Sequence, residues 1–444
     1  MNHILIMDNF IIRRDIMQIH VVQSGDSIFA IARRYNSTVA AVVGANELPN
    51  PSQLVVGQTL VIPIVGSFYW VQPGDSLYSI GRRFGVNYQT LARINAIPVT
   101  RPLTVGQRLY IPQRPKTRAE INAYVEPIGT TVTPVLEQAA RKAAPFLTYL
   151  APFNFRILRN GALQAPPLNN FAAIATANNA TLMMVVTNLE AGQFSADLGR
   201  IILTNETVQN TLLNNIIATA KRYNFRDIHF DMEFLPPELK ENYNNFLRKA
   251  KARLSAEGLL MSTALAPKTS ATQAGAWYEA HDYKAHGEIA DFVVLMTYEW
   301  GYSGGPPMAV SPIGPVREVI EYALTEMPAS KIMMGQNLYG YDWTLPYVPG
   351  GQFARAVSPQ RAIEIAAENN VPIRYDTTAQ APHFDYIDAE GRQHKVWFED
   401  ARSIQAKFNL VKELGLRGVS YWKLGLSFPQ NWLLIEENFD VVKR

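Results

Sequence analysis

Within FRDIHFDMEFLPP, residues 225–237, His229, Asp231 and Glu233 alternate with Ile228, Phe230 and Met232. Successive side chains of a strand point to opposite faces, so the three polar groups share one face. Burying a carboxylate costs several kcal/mol unless it is paired or used, and two on one face demand a reason. By strand rise Asp231 lies about 6 to 7 Å beneath Glu233. Neighbouring carboxylates cannot both ionise cheaply, so one keeps a proton near neutral pH. The pattern is that of a general acid above a supporting carboxylate.

The elements that must position this pair follow from the apolar runs. Eight strand candidates lie at 121–127, 146–153, 181–189, 227–234, 259–267, 291–300, 331–343 and 418–425. Helical segments such as QNTLLNNIIATAKRY and ENYNNFLRKAKARLSAEG separate most of them. Strands alternating with helices predict an α/β fold, a (β/α)8 TIM barrel over residues 120–444. In such a barrel Glu233, last on the fourth strand, stands at the mouth where chemistry is placed. The interval after the seventh strand is too long for one helix, and HFDYIDAEGRQHKVWFE reads as a hairpin turning at Glu390-Gly391. Residues 344–398 are therefore expected to form a small α+β insertion beside the mouth.

Before the barrel the chain repeats itself. VVQSGDSIFAIARRY at 21–35 aligns with WVQPGDSLYSIGRRF at 70–84, and VVGQTLVIP at 55–63 with TVGQRLYIP at 104–112, always 49 residues apart. Each copy, 18–64 and 67–113, reads strand, helix, helix, strand, with Asp26-Ser27 and Asp75-Ser76 placed to cap a helix. Residues 114–119, within the Pro-rich and charged PQRPKTRAE, form a short linker.

These repeats resemble lysin motifs, small modules that bind N-acetylglucosamine glycans. The matching positions are Gly25, Asp26, Ser27 and Asn46 in the first and Gly74, Asp75, Ser76 and Asn95 in the second; the resemblance implies that they serve glycan binding. The barrel resembles glycoside hydrolase family 18, the chitinase-like barrels. Asp231 and Glu233 match the end of that family's DxxDxDxE, while His229 and Arg226 replace its earlier acidic residues. MTYEW supplies Met296, Thr297 and Tyr298, with Glu299 where Asp is usual; Trp422 in GVSYWKLG matches the family's platform tryptophan, and GQNLYGYDW its Gly-x-x-x-Tyr-Gly segment.

The resemblance implies substrate-assisted retaining hydrolysis. Glu233 protonates the leaving oxygen, the substrate's own acetamido carbonyl attacks the anomeric carbon, Asp231 orients the acetamido N–H, and Tyr298 holds the acetamido oxygen. Trp422 offers the sugar an apolar face. His229, as a neutral imidazole, is expected to hold Asp231 by a hydrogen bond or, if protonated, to lower its pKa; either predicts a shifted pH profile. Glu299, Tyr339, Gln336, Asn188 and Tyr124 lie near strand ends and are candidates for lining the cleft.

Composition narrows the alternatives. With 41 Lys and Arg against 38 Asp and Glu the net charge is only +3, without a basic run, and nucleic acid is not an expected partner. The chain has no cysteine, so thiolate chemistry is excluded. His281-Asp282, His383, Asp385 and His394 lack ligand spacing and read as loop or hairpin residues; neither metal nor other cofactor is expected. Residues 1–17 lack a signal-peptide pattern and read as an extension, with Met17 a possible start, and no apolar run reaches membrane-spanning length. A monomer is expected.

Two modules like N-acetylglucosamine binders ahead of a barrel like an N-acetylglucosamine-processing hydrolase point to peptidoglycan. The arrangement resembles the N-acetylglucosaminidases of spore-forming bacilli that act on cortical fragments, which implies a spore address, at the coat or cortex boundary, or else the cell wall. Two other readings are an inactive carbohydrate-binding or spore coat protein and a chitinase.

Overall fold

The computed structural model describes residues 18–64, 67–112 and 116–444. The expected extension 1–17 and part of the expected linker lie outside the described residues.

Eight parallel strands close into a barrel: Thr117–Val125, Tyr149–Pro152, Thr181–Thr187, Asp227–Asp231, Leu260–Leu265, Phe292–Leu295, Ile332–Asn337 and Gly418–Trp422, the last pairing back to the first. The period of two divides the apolar side chains between two cores. Met183 and Val185 fill the lumen with Tyr149, Phe292, Val294 and Met333, while Met184 and Val186 face the surrounding helices. The floor is sealed by Glu120, which accepts from Tyr149 Oη at 3.0 Å and from the Arg417 guanidinium at 2.8 and 3.0 Å.

The stretch 331–343, read as one strand, is two. Ile332–Asn337 belongs to the barrel, whereas Gly340–Thr344 opens an antiparallel five-stranded sheet with Arg355–Val357, Gln393–Trp397, Ala381–Ile387 and Arg374–Asp376. Leu338 and Tyr339 join two apolar runs of the same period, so composition alone could not show the break. The helix Pro359–Glu368 packs on this insertion sheet, sharing a core with Phe384 and Val396.

Each N-terminal module pairs its two strands antiparallel around two helices: Ile19–Val21 with Thr59–Val61, and Ser67–Trp70 with Arg108–Ile111. Ser27 accepts from Ala30 N, and Ser76 forms a reciprocal capping box with Ser79. The first module is docked on the barrel. Asn46 Oδ1 accepts from Gln430 Nε2 at 2.9 Å, Gly57 O accepts from Arg402 at 3.2 Å, and Ile373 N donates to Val56 O at 2.9 Å. Its Val61 joins the barrel core and its Val55 the insertion core.

Candidate active site

Glu233 and Asp231 stand at the mouth of the barrel, 8% and 6% exposed. Three contacts fix the segment that carries them. The Asn188 side chain clamps the Glu233 backbone, Oδ1 accepting its N–H at 3.0 Å and Nδ2 donating to its carbonyl at 2.9 Å. His281 Nε2 donates to Met232 O at 3.0 Å while Nδ1 accepts from Ala266 N at 2.8 Å. Phe234 then turns through a left-handed conformation, φ 53°, which most side chains avoid. The acid is thus held in place through the backbone that carries it.

Burial pushes both carboxyl groups up; Glu233 is raised well above the ordinary glutamate range by burial first and by the Asp231 charge second. The Asp231 charge is thus a force that favours a proton on Glu233. Asp231 Oδ1 is buried and has no hydrogen-bond partner among the described residues, an unpaired acceptor beside Glu233 that calls for an explanation. Tyr298, on the segment after the sixth strand, has its pKa raised by burial and remains a hydroxyl donor. Gly335 on the next strand makes room for it: a Cβ there would lie 2.3 Å from Leu295 O and 3.0 Å from the Tyr298 ring.

His229 does not hold Asp231 by either ring nitrogen. Nε2 pairs with Tyr124 Oη at 2.8 Å, and Nδ1 with Ser262 Oγ at 2.8 Å, which in turn donates to Asp227 Oδ1 at 2.6 Å. Ser262 has one proton and gives it to Asp227, so Nδ1–H donates to Ser262 and Nε2 accepts from Tyr124. Burial lowers the His229 pKa to about 3, which leaves the ring neutral and removes the expected effect of a charged imidazole on Asp231. Ser262 escaped the sequence reading because strand register, which sets it opposite His229, is invisible in one sequence, whereas Asp227 shares the alternation that marked Asp231 and Glu233.

The remaining candidates fall into two groups. Trp422 lies half-buried on the cleft floor, packed edge-on against Phe153 and Tyr124 at centroid distances of 4.8 and 5.5 Å. Glu299 accepts from the hydroxyls of Tyr339 and Tyr341, with burial raising its pKa. Gln336 is fully buried; its amide donates to Asn337, and its Oε1 has no partner among the described residues. Asn188 and Tyr124 are committed to Glu233 and His229. His281 does lie in a loop, as read, but it is buried there and pins Met232 O and Ala266 N. His383 and His394 do lie in the hairpin strands.

In the modules, Asn46 and Asn95 brace the fold: each side chain bridges its own helix to the closing strand, bonding Val61 N and O in one and Tyr110 N and O in the other. Asp26 and Asp75 close the turn through the N–H of Gln23 and Gln72. Gly25 and Gly74, with φ 85° and 82°, supply the left-handed residue of that turn. Asp75 and Ser76 also line a groove of about 420 Å³ with Tyr78, Tyr88 and Val99–Leu103.

Comparison with known proteins matches residues 129–426 to the family described as Glycosyl hydrolases family 18, and residues 20–63 and 69–112 to the LysM domain. The chain is 70% identical over 428 residues to a cortical fragment-lytic enzyme of Bacillus subtilis, covering 96% of this chain and 99% of that one. It is 56% identical to a protein of the same name from Bacillus anthracis, over 96% and 100% of the two chains. The crystal structure of the Bacillus megaterium spore cortex-lytic enzyme SleL superposes with a TM-score of 0.90 at 60% identity, covering 97% of this chain and 99% of that one.

Proposed function

For a chain that belongs to glycosyl hydrolases family 18 and carries two LysM domains, we propose hydrolysis of the glycosidic bond that follows N-acetylglucosamine in peptidoglycan, with spore cortex fragments as substrate and the spore as its address. The chain is a glycosidase; the bond and the substrate are the proposal. One observation carries it: a buried glutamic acid, its pKa pushed up by burial and by Asp231, stands beside that aspartate, whose buried Oδ1 is unpaired among the described residues.

In this reading the Glu233 proton passes to the glycosidic oxygen as the C1–O bond breaks. The 2-acetamido carbonyl oxygen of the substrate attacks C1, giving an oxazolinium. Asp231 accepts from the acetamido nitrogen and balances the positive charge, and Tyr298 donates to the acetamido oxygen. Glu233, now a carboxylate, takes a proton from the water that attacks C1 and reopens the ring. Trp422 supplies the surface on which the N-acetyl sugar lies. The groove of the second module would tether the glycan and raise its concentration at the cleft.

The test compares the wild-type chain and Glu233→Gln on cortex fragments and on chitin oligomers, with new reducing ends identified by mass spectrometry. Wild-type release of fragments ending in N-acetylglucosamine, lost in the variant by about a hundredfold or more, is the expected outcome. Preferred cleavage of chitin would make it a chitinase; binding without cleavage by both chains would make the barrel a lectin.

A further inference from the structure

The segment between the fifth strand and the helix Tyr283–Ile289 brings one more side chain to Glu233. The Trp277 indole N–H donates to Glu233 Oε2. Its ring lies nearly parallel to that of Phe234, 10° apart with centroids at 6.2 Å, and Phe234 continues to Phe194 at 6.5 Å. Phe234 is 44% exposed, so this aromatic row opens to solvent beside the acid. The segment is anchored close to the indole: Gly275 N donates to Glu279 Oε1 at 2.8 Å, and His281 bonds both Ala266 N and Met232 O.

An indole nitrogen donates and never accepts, so Oε2 cannot hold its own proton toward Trp277. We propose that Trp277 is a positioning residue for the proton donor, fixing Oε2 so that Glu233 carries its proton on Oε1, and that its ring with Phe234 forms the wall against which the leaving-side sugar packs. This deepens the hydrolase reading and rests on it. As the proton leaves, the bond to Trp277 becomes a charge-assisted one, so the same contact favours the carboxylate that the first step generates. It opposes the effects of burial and of Asp231, which favour the protonated acid. The other titratable groups facing Glu233 are Asp231, two residues before it at the end of the fourth strand, and the hydroxyls of Tyr124 and Tyr298. On the Trp277 segment, Lys268 Nζ is bonded to His281 O and Glu279 to Gly275 N. None of them bonds the indole N–H, so its removal acts on Glu233 directly.

Trp277→Phe keeps a ring against Phe234 and deletes the N–H. Its kcat on cortex fragments is expected to fall about tenfold or more, the size of one hydrogen bond to a charged group, with KM changed much less. The alkaline limb of kcat/KM should move to higher pH, because the carboxylate has lost a donor. Wild-type kcat with an unmoved alkaline limb would overturn the assignment. Should this variant fail to fold, the wild-type chain still decides: one of its seven indole N–H resonances should titrate with Glu233, above the ordinary glutamate range, and lose that titration in Glu233→Gln. The absence of any such resonance would refute the contact. A wild-type chain that cleaves nothing overturns the hydrolase reading instead, and leaves the indole titration to report on the contact alone.

Discussion

Gly57 and Gly106 occupy the same place in the two modules, with φ 86° and 83°. A Cβ on Gly57 would lie 1.8 Å from Ile373 O in the insertion, whereas a Cβ on Gly106 would meet nothing within 4 Å. The pattern they share specifies the turn; what surrounds the turn is set by side chains the pattern does not include. Val61 and Val55 of the first module sink into the barrel and insertion cores. The second module closes its core on itself, from Tyr69 and Leu77 through Ile80 and Leu91 to Leu109. Its groove has two tyrosines, Tyr78 and Tyr88, ring centroids 6.0 Å apart, where the first module has Phe29 and Val39. One copy serves as an anchor on the enzyme and the other presents an open groove.

The comparison breaks most readily at the glycines. Gly57→Ala should cost about 2 to 4 kcal/mol, adding a backbone clash to the left-handed penalty, while Gly106→Ala should cost about 1 kcal/mol for the conformation alone. Urea unfolding of both variants measures the gap; equal costs would mean that the first module is not braced by the insertion. Next in size is Gln430→Ala, which removes a side chain that donates to Asn46 Oδ1 and to Thr59 O. A loss of about 1 to 3 kcal/mol is expected, because the Thr59 carbonyl loses this donor while Asn46 Oδ1 keeps only Val61 N; it is read in the same unfolding experiment.

Binding sharpens the contrast further. Tyr78→Ala should weaken retention on cortex glycan about threefold to tenfold, the worth of one aromatic platform, and Phe29→Ala by less, in a co-sedimentation assay. Equal losses would give both modules the same duty. The smallest effect is one of pH. His20 and Tyr69 are equivalent positions, bonded to Asp26 and Asp75. Burial, partly offset by Asp26, holds the His20 pKa below its ordinary 6.5. Between that value and 6.5 the unfolded chain binds the extra proton and the folded chain does not, so stability falls as the pH drops through this window. Thermal melts at pH 7 and pH 5 should show this loss in the wild type and less of it in His20→Tyr, a difference of about 1 kcal/mol or less. An equal loss in both chains would remove His20 as its source.

Much of the barrel was legible because period-two apolar runs and helical spacing are local properties. The face shared by Asp231 and Glu233 followed from alternation alone. What stayed hidden depends on residues far apart in sequence. The partners of His229 are set by register, and Trp277 sits in a segment without periodicity, reaching Glu233 across 44 residues. Asn46 and Asn95 were singled out by the lysin-motif resemblance, and a motif position does not show that each side chain is turned inward to pair with a strand edge. Gln430 and Ile373, which receive the first module, lie more than 300 residues beyond it and offered no clue.

The docked module also touches two parts of the enzyme at once, the helix Pro429–Asn438 through Gln430 and the insertion through Ile373, adding to the direct bond from Gln360 N to Ser427 O between them. It acts as a cross-brace, tying the outer end of the insertion to the body of the barrel. A chain trimmed to begin at Ser67 would therefore lose more than a glycan grip: the wall beside the cleft would stand without its strut, and a fall in turnover after such a cut would report loosened architecture as much as lost tethering.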